Sequence, residues 1–106
     1  MENHKIIFDQ IKWDSPIKGM KQKVYDNGNS ILRLIHFNAQ FIELDWCQKA
    51  HIGYILEGEM TIQFKNHLEH YTKGDILDIP KGEAHQHKVI LEKGKTVDLI
   101  VFENKE

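Results

Sequence analysis

Five residues stand out as electron-pair donors that could meet around one ion: Asp45, Cys47, His51, His85 and His87. A divalent metal needs three or four such donors converging at about 2.0–2.3 Å on one point. Strand parity decides which of them can converge. Asp45 and Cys47 are two apart, so they share a face if one strand runs through Trp46. His85 and His87 share a face on the same ground, with Gln86 and Lys88 turned away. Facing strands that turn Cys47, His51, His85 and His87 inward would make a soft pocket rich in nitrogen and sulfur. Thiolate with imidazole suits zinc or iron best and leaves nickel, manganese or copper open. Each residue also has a plain structural use. Free cysteine is often a small buried hydrophobe, a histidine can be hydrogen-bonded at a strand start, and Asp45 can pair with a lysine or face water. His4, His36, His67 and His70 fall at a terminus, in a strand or around a polar turn, where solvated or structural roles are expected.

Other chemistries have less to stand on. Cys47 with His51 or His85 could form a nucleophile and its base, but nothing in the sequence supplies an oxyanion hole. There is no Gly-rich phosphate loop, no Cys-x2-Cys pair and no Gly-x-Ser-x-Gly elbow. Phe41, Trp46, Tyr54 and Phe64 are candidate pocket walls for a small organic ligand, or plain core.

The elements that must position these residues read as short strands. Asp26-Asn27-Gly28-Asn29 is a hairpin turn, with Asn-Gly its strongest signal. It joins a strand over residues 20–25 to one over 30–37. Further strands are expected over 41–46, 54–56, 60–64, 68–71, 76–79, 85–91 and 97–102, and short arms over 6–8 and 11–13. Met60, Ile62 and Phe64 lie on one face at period two. No segment keeps a helical apolar stripe for three turns. Many short, evenly spaced strands imply an all-β sandwich or barrel, whose closure manages the sheet edges.

The most telling stretch runs from Gly74 to His85. Gly74-Asp75 turns the chain, Ile76, Leu77 and Ile79 form an apolar run, and Pro80 and Gly82 end it. The spacing Gly74-x5-Pro80-x-Gly82-x2-His85 resembles the second conserved motif of the cupin superfamily. The first motif of that family, His-x-His-x3-Glu-x6-Gly, matches in spacing when Gly58 of Tyr54-Ile55-Leu56-Glu57-Gly58-Glu59 is its last glycine. Asp45 and Cys47 then stand where the family has histidines, and His51 where it has glutamate. The resemblance implies a double-stranded jelly-roll β-barrel. It implies His85 as a metal ligand, with His51, Cys47 and Asp45 at the other ligand positions; His87 rests on parity alone.

At 106 residues the chain is expected to be one domain over 1–106, with an N-terminal arm over 1–15 and a barrel over 16–106. A net charge of −2 and no basic run give no reason to expect nucleic acid or a bilayer. No apolar stretch is long enough to span a membrane, and the first residues lack a signal-peptide core. A single cysteine fits a reducing compartment, so the cytoplasm is expected. The resemblance implies a small-molecule ligand or substrate and a homodimer, sealed by the apolar segment Ile6-Ile7-Phe8 and Ile11. Dioxygenase or isomerase chemistry at a bound metal is one functional expectation. A non-catalytic small-molecule binding or sensing module, or a metal-free scaffold, is the alternative, since fold does not choose the reaction.

Overall fold

The computed structural model describes residues 4–105; residues 1–3 and 106, the outer ends of the expected arm and barrel, lie outside the described residues. The described strands are β1 (Asp14–Ile17), β2 (Met20–Asp26), β3 (Ser30–Asn38), β4 (His51–Phe64), β5 (Leu68–Thr72), β6 (Ile76–Ile79), β7 (His87–Ile90) and β8 (Thr96–Asn104). They pair antiparallel throughout. One layer runs β1-β2-β3-β8-β4-β6, and in the other β4 lies between β5 and β7. The two layers form an all-β jelly-roll barrel.

β4 belongs to both layers because it changes sheet at Gly58. Residues 52–58 pair with β8 and residues 59–63 with β5. Gly58 has φ +80°, and a Cβ there would run into the Thr96 carbonyl, so only glycine fits at this corner. The β2–β3 hairpin turns where Asn27-Gly28 lies, with Asp26 and Asn27 side chains accepting from the Gly28 and Asn29 amides at 2.8 and 2.9 Å.

Period two sorts each strand between the core and the outside. β3 turns Ile35 and Phe37 inward, β8 turns Val97, Leu99 and Val101 inward, and the second half of β4 turns Met60 and Ile62 inward. Each such side chain contributes about 1.5–3 kcal/mol on burial. The outer face of the first layer leaves Ile52, Tyr54, Ile76 and Phe102 exposed.

Several expected elements differ. The strands expected over 54–56 and 60–64 are one continuous strand, β4. Residues 41–46 form a loop, not a strand. Phe41 is buried, but Ile42 and Leu44 are 71% and 79% exposed, so the apolar content of this segment has no sheet to pair with. The Glu43 side chain takes the Val89 amide at 2.7 Å, satisfying the free edge of β7 as a neighbouring strand would. The arms over 6–8 and 11–13 are not strands: a 3-10 turn spans Phe8–Gln10, and the first strand is edge strand β1, which begins at Asp14 and tolerates Pro16. Lys23 holds that turn by donating to the Phe8 carbonyl at 2.8 Å. Finally, the strand expected over 85–91 starts at His87, because Glu83–His85 is a 3-10 turn entered from Gly82 at φ +122°.

Candidate metal centre at the barrel mouth

Three of the five sequence candidates come together. The donor atoms of Cys47, His51 and His87 lie within 4.8 Å of one another. His51 opens β4, and the Ile52↔Phe102 pairing sets it beside Glu103 of β8. His87 opens β7 and is only 3% exposed. Cys47 reaches both from the loop through one isolated bridge: its amide donates to the His87 carbonyl at 2.9 Å, and the His87 amide donates back at 3.0 Å. That bridge presents the thiol to the two imidazoles. Cys47 Sγ is 3.4 Å from His51 Nε2, and the rings of His51 and His87 meet edge-on with centroids 5.1 Å apart.

The other two candidates lie outside this group. His85 is exposed in the 3-10 turn, where parity with His87 no longer applies. Its carbonyl accepts from His87 Nδ1 at 3.1 Å, which leaves His87 Nε2 for the cluster. The His85 side chain instead borders a separate cleft beside His67, Glu69 and Tyr71. Asp45 is exposed on the loop, since no strand carries it onto the face of Cys47. Among the aromatic candidates, Phe41 lines the barrel cavity. Phe64 stacks on His67, Trp46 lies under Lys65 and Lys88, and Tyr54 is exposed.

Three charged residues that sequence reasoning missed complete the site. Glu103 Oε2 lies 2.9 Å from His51 Nδ1, and its other oxygen lies 3.0 Å from Arg33 Nη2. The first contact is short yet off the line a hydrogen bond prefers. Glu43 lines the same cavity from the loop. A signal for two of them exists in the sequence. Arg33-x-Ile35-x-Phe37 and Val97-x-Leu99-x-Val101-x-Glu103 are inward apolar series each ended by a charge.

The electrostatics follow from this crowding. Hydrogen bonds from His51 and then His87 favour the Cys47 thiolate over the opposing effect of burial, and bring its pKa down to about 5. Burial works against a charged His51, but contact with Cys47 and Glu103 outweighs it and raises the ring to about 9. Glu103 is lowered by His51, against burial, with help from the charge of Arg33. Burial raises Glu43, partly offset by the Val89 amide. Cys47 and His51 are therefore a thiolate–imidazolium pair when no ion is bound, and the donors a soft metal requires when one is.

One pair stands at a metal-ligand spacing. Ligands at about 2.0–2.3 Å in tetrahedral directions stand about 3.3–3.8 Å apart; Cys47 Sγ to His51 Nε2 is 3.4 Å, and all three donors lie within 4.8 Å. Behind the cluster lies a cavity of about 370 Å³. A larger cavity of about 630 Å³ outside it shares Arg33, Lys49, His51, Ile79 and Glu103 as a common wall.

Neither a protein-family model nor a curated protein matches the sequence. Solved structures do match the fold. The polyketide cyclase RemF from Streptomyces resistomycificus is 19% identical with a TM-score of 0.80, over 99% of this chain and 81% of that one. An RmlC-like cupin from Shewanella frigidimarina is 18% identical with a TM-score of 0.78, over 99% and 93%. A sugar phosphate isomerase of the cupin superfamily from Silicibacter pomeroyi is 12% identical with a TM-score of 0.78, over 96% and 76%. The barrel is thus a cupin fold. Within this barrel the donor atoms that converge are one thiol and two imidazoles, those of Cys47, His51 and His87.

Proposed function

We propose that this chain is a small metalloprotein, with Cys47, His51 and His87 holding one divalent ion, zinc or iron, at the mouth of a cavity that takes a small organic molecule. The observation that carries this reading is the convergence of those three donors within 4.8 Å. Three protein ligands leave a coordination position open, as catalytic sites do and closed structural sites do not. A metal there would polarise an oxygen of the bound molecule. Glu43, its carboxyl raised by burial and its Oε1 engaged by the Val89 amide, is placed to hold or accept a proton beside the cluster. Arg33 and Glu103 orient His51, and the apolar wall keeps water from the ligand. This supports an enzyme of isomerase or dioxygenase type. Elemental analysis of protein purified without an affinity tag tests it: stoichiometric metal supports the reading, and its absence after zinc or iron is offered removes it.

A second reading has its own observation. Cys47 and His51 already face each other at 3.4 Å as thiol and imidazole, which favours a metal-free binding module. The same elemental analysis separates the two. The chain is further proposed to pair as a homodimer, because Ile6, Ile7, Trp13 and Ile17 near its N-terminus and Ile52, Tyr54, Ile76 and Phe102 on the outer sheet are all exposed. Light scattering at micromolar concentration that shows monomer alone would rule this out. Among the described residues no helix is long and apolar enough to cross a membrane.

A further inference from the structure

The wall of the central cavity is sorted by chemistry. Its polar end holds the donor cluster with Arg33, Lys49, Glu43 and Glu103. The rest is apolar: Ile35 and Phe37 from β3, Met60 and Ile62 from β4, Leu99 and Val101 from β8. Phe41 lies against Phe37 with ring centroids 4.5 Å apart, tilted by 37°, so the loop adds aromatic surface to the strands. At about 370 Å³ the space is no packing fault. It falls within the roughly 300–1,000 Å³ of ligand sites and has room for a ring-sized body.

Two arguments narrow the occupant. First, the apolar side chains have no hydrogen bonds to offer, so each hydroxyl held against them would lose its water partners at about 1–3 kcal/mol. A sugar or sugar phosphate carries several hydroxyls and is disfavoured. Second, the polar end attracts an anion. With a divalent ion bound, the positive charges of the ion, Arg33 and Lys49 outnumber the negative ones of Cys47, Glu103 and Glu43 even when all three are ionised. Arg33 Nε is buried without a hydrogen-bond partner, and an anionic oxygen would supply one.

We propose that this cavity binds a ring-sized apolar acid, an aryl carboxylate or phenolate, with its ring among Phe37, Phe41, Met60 and Leu99 and its anionic oxygen toward Cys47, His51 and His87. The oxygen contact rests on the metal-site reading; the ring contacts do not.

The probe is 2-naphthoate, with glucose 6-phosphate as its polar counterpart. Both are titrated by calorimetry into the full chain loaded with zinc and, separately, stripped of metal. Naphthoate should bind the zinc form at least about tenfold more tightly than the sugar phosphate, a gap of about 1.4 kcal/mol, and should still bind the stripped form more weakly. Val89→Phe fills the cavity without removing a donor and should weaken naphthoate about tenfold with zinc content unchanged. Leu99→Phe does the same from another strand, should the first variant fold poorly. Equal or tighter binding of glucose 6-phosphate, or no naphthoate binding to either form, overturns the proposal. So does naphthoate binding that a folded filling variant leaves intact. Failure to take up zinc sinks the metal reading alone, because the stripped protein still reports whether the ring is held.

Discussion

The barrel mouth and the cleft beside the β4–β5 hairpin draw on the same kinds of side chain. At the mouth, Cys47, His51 and His87 meet with Glu103 and Arg33 behind them. In the cleft, His67 lies 2.8 Å from Glu69, Tyr71 donates to the other Glu69 oxygen at 2.6 Å, and His85 borders the same space of about 200 Å³. The histidines of the cleft stand in water, where ion pairs are screened and contribute about 0–1 kcal/mol. Those of the mouth are half-buried or buried, so each charge acts strongly on the next. Cys47 and His51 consequently shift in opposite directions, to about 5 and about 9. The same kinds of side chain differ in effect because those of the mouth are buried together and those of the cleft are not.

The largest expected effect sets the two regions against each other directly. His87→Ala should lower zinc affinity by more than about 100-fold, since even outer partners of metal ligands are worth about 10–100-fold. His85→Ala should change it little, because only the His85 carbonyl touches His87. Competition against a chromophoric chelator measures both, and equal losses would erase the distinction between mouth and cleft. Cys47→Ser comes close behind, because an alcohol oxygen is a poor donor for a soft site. A variant holding zinc as well as the parent would reduce the ligand set to imidazoles.

A smaller effect belongs to Glu103. Glu103→Gln should weaken zinc about tenfold, toward the low end of the range for residues that orient a ligand, and leave the fold intact by circular dichroism. An unchanged affinity would mean that Glu103 supports Arg33 and not His51.

The pH dependence of the metal-free protein sharpens the contrast further. With its pKa lowered to about 5, the Cys47 thiolate persists as pH falls until about 5, so alkylation by iodoacetamide should stay near its plateau from pH 8 to 6. An ordinary thiol loses rate steadily below about pH 8.5. Stability follows the same signs. The Cys47 contribution is full above the ordinary thiol range and is lost as pH falls through about 5. The His51 contribution is full below the ordinary imidazole range and is lost as pH rises through about 9. Alkylation that falls tenfold between pH 8 and 7 would contradict the thiolate–imidazolium pair.

The smallest effect lies in the cleft. Tyr71→Phe removes one partly exposed hydrogen bond to Glu69 and should cost about 1 kcal/mol or less in denaturant unfolding. A loss of several kcal/mol would show that the cleft is as tightly coupled as the mouth.

Much of the barrel was legible in the chain because its signals are local. Asn27-Gly28 favours a hairpin, and Met60-x-Ile62-x-Phe64 alternates at the period of a strand. The run Gly74 to Gly82 likewise specified a strand and its end. These features depend on backbone angles and on one residue's neighbours, which the order of amino acids states outright.

The site depended on distant partners. Residues 41–46 have the composition of a strand, yet whether they become one depends on a free sheet edge, and the Glu43 side chain occupies the edge they would need. Whether His85 or His87 faces inward turned on the length of one 3-10 turn, since a shift between turn and strand resets parity. Arg33, His51 and Glu103 are far apart in sequence and meet only because β3, β8 and β4 lie side by side in a particular register. The sequence by itself determined the jelly roll, its turns and the supply of soft donors. Only the tertiary structure selected Cys47, His51 and His87 among those donors, because convergence on one point is a property of strand register and closure and not of spacing along the chain.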